Sequence, residues 1–149
     1  MTRRLSSTRD EAADKLHSAS IHVLRRVARE DPASGLSAAR LSALSVLVFG
    51  GPRTLGELAA AEQVRPPTMT NIVRGLEEAG LVRRDADPND GRIARVRATP
   101  KGERVLQHAR QRRIANLADR LGTLTPAEVA RVREAAELVE KALGVARDA

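Results

Sequence analysis

The side chains with the clearest chemistry sit in one stretch, Arg84-Asp85-Ala86-Asp87-Pro88-Asn89-Asp90-Gly91-Arg92, with Arg95 and Arg97 just beyond it. Guanidinium groups donate paired hydrogen bonds to phosphates and base edges, whereas interleaved carboxylates can lock one arginine in place while others approach a polyanion. Asp87 can cap a turn, Pro88 presets φ, and Asp90-Gly91 supplies a position for positive φ, so the stretch reads as a hairpin tip. A little upstream, Pro67, Thr68, Thr70, Asn71 and Arg74 carry short hydroxyl, amide and guanidinium groups of the kind that reach base edges, and Arg65 can meet a phosphate. No catalytic constellation competes with this. Gly50-Gly51-Pro52 has no Lys-Ser/Thr after it and so is a helix stop rather than a nucleotide loop. His17 and His22, at i and i+5, fall on different helix faces, which rules against a metal pair. No enzyme activity and no cofactor are expected.

Helices and one hairpin must position these groups. Periodicity predicts a first helix from about Thr8 to Glu30, with Leu16, Ser20, Val23, Leu24 and Val27 on one face, then a loop through Asp31, Pro32, Ser34 and Gly35. Ser37 can cap a second helix that turns Leu41, Leu44, Leu47, Val48 and Phe49 inward and stops at Gly50-Gly51-Pro52. Thr54 and Glu57 have capping-box spacing for a short third helix ending near Gln63. Pro66 then starts a fourth helix without a side-chain cap, and Met69, Ile72, Val73 and Leu76 form its apolar stripe as far as Gly80. Between Leu81 and Thr99 a two-stranded ribbon is expected, with Ala94, Val96 and Ala98 inward and Arg95 and Arg97 outward. A long helix follows from Thr99-Pro100 to Gly122. A last one is launched by Thr125, Pro126 and Glu128 and striped by Val129, Val132, Ala136, Val139 and Leu143. Two short helices joined by a tight turn and followed by a ribbon make a winged helix-turn-helix.

Composition narrows the partner. The chain has 149 residues, no cysteine and one aromatic, Phe49, with a formal net charge of +7 carried mainly by arginine. Disulfides, zinc-thiolate sites and thiol sensing are excluded. A surface without aromatic platforms does not suit unpaired bases, so duplex DNA is the expected nucleic acid. There is no long apolar run and no secretory pattern at Met1, which points to a soluble cytoplasmic protein with no membrane partner.

The hairpin fits an R-x-x-D-P-x-D-x-R signature, and four further runs agree with it: P-T-x-T from Pro67, L-E-x-x-G-L-V from Leu76, T-x-x-G from Thr99 and L-T-x-x-E from Leu124. On these residues the sequence resembles the multiple-antibiotic-resistance regulator (MarR) family of winged-helix repressors, from about Leu16 to Leu143. The resemblance implies a mainly α fold: a winged helix-turn-helix over residues 37–99, with dimerisation helices in 1–36 and 100–149. It implies a homodimer on a pseudo-palindromic operator. Arg92 would enter the minor groove, Asp87 and Asp90 would steady the wing, and Arg84 and Arg95 would join the DNA-facing set. Gly91 stands where many relatives carry a second basic residue. The resemblance further implies a crevice for a small aromatic or anionic effector, for which His17, His22, Arg25, Arg40 and Arg113 are candidates by position and charge. The alternative to a DNA-binding regulator is a winged helix that docks a protein partner, against which the arginine-rich wing argues.

Overall fold

The computed structural model describes residues 7–29 and 34–144. The chain divides into two compact units, one ending at Arg113 and the other beginning at Ile114. Its elements run α1 (Thr8–Val27), α2 (Ala38–Gly50), β1 (Arg53–Thr54), α3 (Leu55–Ala61), α4 (Pro66–Glu78), β2 (Val82–Ala86), β3 (Ala94–Ala98), α5 (Pro100–Leu121) and α6 (Pro126–Leu143). None of the described helices is long and apolar enough to cross a membrane.

Local chemistry explains most boundaries. Ser7 caps α1 by accepting from the Asp10 amide, with Asp10 and Glu11 in its first turn and Arg25 and Arg26 in its last, each sign facing the favourable end of the helix dipole. The helix stops at Val27, and the expected last residue, Glu30, lies outside the described residues, as do Asp31 and Pro32 of the loop. Ser37 caps α2 through the Arg40 amide, and Gly51, at φ 76°, ends it in a conformation that a side chain would resist. Capping boxes open both α3 (Thr54 with Glu57) and α6 (Thr125 with Glu128).

The wing is more than a ribbon. Its sheet has three antiparallel strands in the order β1-β3-β2, with Arg53 opposite Val96 and Thr54 opposite Arg95. The third strand was not legible because two residues between a helix stop and a helix cap are too few to show a period. On the other side of β3, Asp85 pairs with Arg95 and Ala86 with Ala94.

One core closes the winged unit. Leu41, Leu44 and Leu47 from α2, Leu58 from α3, Met69, Val73 and Leu76 from α4, Val96 from β3 and Leu106 from α5 are buried together. The α4 stripe therefore packs as expected, with Ile72 at its margin. Phe49 departs from expectation: it is 52% exposed, because two residues after the buried Leu47 it falls on the opposite face of α2. The start of α5 is held close to β2, where the Thr99 amide donates to the Leu81 carbonyl at 2.9 Å and the Thr99 hydroxyl donates to the Gly80 carbonyl at 2.7 Å.

Outside this core the long helices keep apolar faces open. On α1, Leu16, Val23 and Leu24 are exposed and only Val27 is buried. In the second unit no residue of α6 is buried, and Val129, Val132, Leu138 and Leu143 are exposed.

Candidate nucleic-acid interface

The turn between α3 and α4 sets the direction of α4. Gln63 takes a left-handed φ of 53°, and the Val64 amide reaches back to the Ala59 carbonyl at 3.0 Å. Arg65 occupies the N-cap of α4 and makes no side-chain capping bond. The prolines supply the reason: Pro66 and Pro67 have no N–H, so fewer amide donors need an acceptor, and the Arg65 side chain stays available. With Met69, Val73 and Leu76 fully buried, the opposite face presents Pro67, Thr68, Asn71 and Arg74 to solvent. Thr70 is half-buried, and its hydroxyl donates to the Pro66 carbonyl at 3.0 Å, leaving it an acceptor.

The wing tip is built on carboxylates. Asp87, the one buried charged residue among those described, accepts from the Asn89 amide at 2.7 Å and the Asp90 amide at 3.2 Å, and its second oxygen accepts from Arg95 Nε. The Asp87 amide in turn donates to the Ile93 carbonyl at 2.7 Å, closing the loop. Gly91 does not take the left-handed conformation expected of it, since the carboxylates of Asp87 and Asp90 already order the turn amides. The Arg95 guanidinium holds the Asp87 carboxyl below its ordinary value, helped by the Asn89 amide, and Asp87 raises Arg95.

Arg95 also ties the wing to the helices. Its Nη1 lies 3.4 Å from Glu57 Oε2, the oxygen that accepts from the Thr54 amide at 2.8 Å in the α3 capping box. The Thr54 amide is the main cause that lowers Glu57. One continuous chain of charged and hydrogen-bonded groups thus links the start of α3, β3 and the wing tip.

The remaining arginines sort by what they touch. Arg84 bridges to Glu77 of α4 at 3.1 Å, and Arg83 and Arg97 share Asp85 at 3.3 and 3.2 Å. Arg92 donates from Nε and Nη2 to the two oxygens of Asp90, at 3.1 and 3.3 Å, yet its side chain is 91% exposed. That pair lowers Asp90 and leaves the Arg92 guanidinium largely in solvent.

A family model described as the MarR family matches residues 36–94, which span α2, the helix-turn-helix, β2 and the wing loop up to the start of β3. An HTH-type transcriptional regulator of Mycobacterium tuberculosis is 38% identical over 127 residues, covering 85% of this chain and 89% of its own length. The chain belongs to the MarR family. It is a helix-turn-helix transcriptional regulator of that family and not an enzyme. An HTH-type transcriptional regulator of Mycobacterium leprae, named as uncharacterized, is 36% identical over the same length. The fold is shared with solved structures of lower identity. RV1404 from Mycobacterium tuberculosis matches with a TM-score of 0.80 at 23% identity, covering 97% of this chain and 99% of that one. Apo MarR from E. coli matches with a TM-score of 0.70 at 22% identity, covering 85% and 95%.

Within this MarR fold the DNA-facing candidates form two groups. Arg65, Pro67, Thr68, Thr70, Asn71 and Arg74 lie on α4, while Arg84, Asp87, Asp90, Arg92 and Arg95 lie on the wing. Asp87 and Asp90 are bonded within the wing, Arg95 is held by Asp87 and Glu57, and Arg92 is the most exposed member. The effector candidates are more scattered. His17, His22 and Arg25 are exposed on α1, Arg113 is half-buried on α5, and Arg40 rests against α4. A surface cavity of about 240 Å³ is instead lined by Ser34, Lys101, Arg104, Val105, His108 and Arg112. Its basic residues follow one stripe of α5, a spacing visible in the sequence but passed over there.

Proposed function

We propose that this MarR family regulator binds a pseudo-palindromic duplex operator as a homodimer and acts as a repressor. In this reading α4 enters the major groove, where Asn71, Thr68 and Arg74 read base edges, and Arg92 enters the adjacent minor groove. The observation that carries it is the exposed Arg92 fork, steadied by Asp90 on a wing locked through Asp87, Arg95 and Glu57, beside an α4 face that is polar and uncovered. A wing so braced presents one arginine with less backbone entropy to lose on contact.

The dimer belongs to the same proposal. Residues 1–36 and 100–149 would supply its interface, because exposed Leu16, Val23 and Leu24 on α1 and Val132, Leu138 and Leu143 on α6 are apolar faces of the sort a second copy covers. Two α4 helices in successive major grooves stand roughly one helical turn, about 34 Å, apart. A small aromatic or anionic effector would act by changing that spacing. The protein would work in the cytoplasm, where its operator is.

The test separates the two grooves. Asn71→Ala should cost about 1–3 kcal/mol on operator DNA, taken from the region flanking the protein's own gene, and much less on random duplex. Arg92→Ala should weaken both and reduce the slope of log affinity against log salt by about one unit. Equal losses from Asn71→Ala on both duplexes, with Arg92→Ala altering only sequence preference, would refute the assignment.

A further inference from the structure

Arg40 stands on α2, yet its guanidinium belongs spatially to α4. Gly75 follows Thr68 by seven residues and Asn71 by four, so at 3.6 residues per turn it lies within about 40° of each of them around the helix. Thr68 and Asn71 are exposed, whereas Gly75 is buried. What covers it is Arg40: a Cβ placed at residue 75 would meet the guanidinium, with Cζ at 2.5 Å and Nε at 2.8 Å. The absent side chain of Gly75 is therefore the notch in which the Arg40 fork rests. Arg40 stands in the first turn of α2, next to the buried Leu41. Among the described residues the Arg40 side chain has no hydrogen bond or ion pair, unlike Arg83, Arg84, Arg92, Arg95 and Arg97.

We propose that Arg40 is a DNA-phosphate contact, seated in the Gly75 notch of α4 so that its guanidinium meets the backbone wall of the groove that α4 occupies. The proposal rests on α4 being the groove-entering helix and adds a contact from outside it. A B-form major groove is about 12 Å wide and packed helices lie about 8–10 Å apart. A long side chain that crosses from α2 to the flank of α4 thus stands where a phosphate rim passes. A planar fork lying flat on a glycine keeps its N–H edge free to donate. An unpaired cation half-buried at this place is explained by an anion that arrives with the DNA.

The full-length protein would be titrated with random-sequence duplex and with duplex from the region flanking its own gene, over a range of salt. Arg40→Gln should weaken both several-fold and reduce the salt slope by about one unit, without changing the preference between them. Arg40→Lys should retain the slope, since the charge remains, but recover only part of the affinity. Gly75→Ala should lower affinity by evicting the fork, and it should add nothing further in the Arg40→Gln background, where it should instead raise the melting temperature. Wild-type affinity and slope for folded Arg40→Gln, or independent additive losses from Gly75→Ala and Arg40→Gln, would overturn the proposal. If that happens while Asn71→Ala still lowers operator binding selectively, the assignment of Arg40 fails and the groove reading stands. If the unaltered protein binds neither duplex, both fall.

Discussion

Gly102 offers a substitution for which helix propensity and packing give opposite signs. It lies in the first turn of α5, where its amide donates to the Thr99 hydroxyl at 3.1 Å. Replacing glycine by alanine in a helix ordinarily stabilises by about 0.5–1 kcal/mol, through the entropy of the unfolded chain. A methyl at this position, however, would run into the Leu81 carbonyl oxygen, with the carbonyl carbon at 3.0 Å and Leu44 Cδ1 at 3.2 Å. The carbonyl is backbone and already accepts from the Thr99 amide, so it cannot rotate aside as a side chain would. Overpacking of this kind costs about 1–3 kcal/mol, and a backbone obstacle favours the upper part of that range. The net expectation for Gly102→Ala is a loss of about 1–2 kcal/mol. At about 3 °C per kcal/mol for a chain of this size, the melting temperature should fall by about 3–6 °C. Gly56 in α3 provides the matching control, because a Cβ there meets only the Thr54 hydroxyl oxygen at 4.0 Å. Gly56→Ala should raise the melting temperature by about 1.5–3 °C. Thermal unfolding followed by circular dichroism reads both. A Gly102→Ala protein that melts at or above the unaltered chain would show that α5 does not approach β2 as closely as described. The T-x-x-G run would then need another explanation.

Met69→Ala removes a fully buried side chain from the α4 stripe, so it should cost about 2–5 kcal/mol in denaturant titration, whereas Arg74→Ala on the exposed face should be nearly neutral for stability. Asp87→Asn keeps the shape but removes the charge facing Arg95; the wing amides of Asn89 and Asp90 should exchange hydrogen faster while those of α2 stay protected. Asp87 and Asp90 titrate below their ordinary value of 3.8, so their contribution to stability is fully present above that value and is lost as the pH falls through the lower folded values. Carboxyl chemical shifts should therefore titrate with midpoints below the ordinary value of 3.8, and a midpoint at or above it would contradict the ion pairs. Deleting residues 125–149 should abolish dimerisation in analytical ultracentrifugation, and a full-length protein that sediments as a monomer at micromolar concentration would remove the dimer from the proposed function.

The elements readable from sequence alone are those whose ends are written in neighbouring residues. Ser37, the Thr54-Glu57 and Thr125-Glu128 boxes, the Pro66-Pro67 start and the Gly51 stop act within three or four residues, so helix order and most boundaries followed from local hydrogen-bonding needs. The same holds for Asp87 as the cap of the wing turn and for the outward polar face of α4, which is the complement of a visible apolar stripe. Pairing across the chain was not written there. Five wing arginines have the same chemistry, and only the fold decides that Arg95 meets Asp87 and, 38 residues away, Glu57, while Arg92 stays in solvent. The strand at Arg53–Thr54 exists because β3 offers it an edge, and Phe49 is left outside because it lies on the face of α2 opposite the buried Leu47. By position and charge Arg40 read as an effector candidate, and only the packing of α2 against α4 sets its guanidinium against Gly75. A local pattern fixes which face of a helix is apolar, since that depends on a period of 3.6 residues. Which groups meet across two elements depends on how those faces pack, and that is a property of the folded chain as a whole.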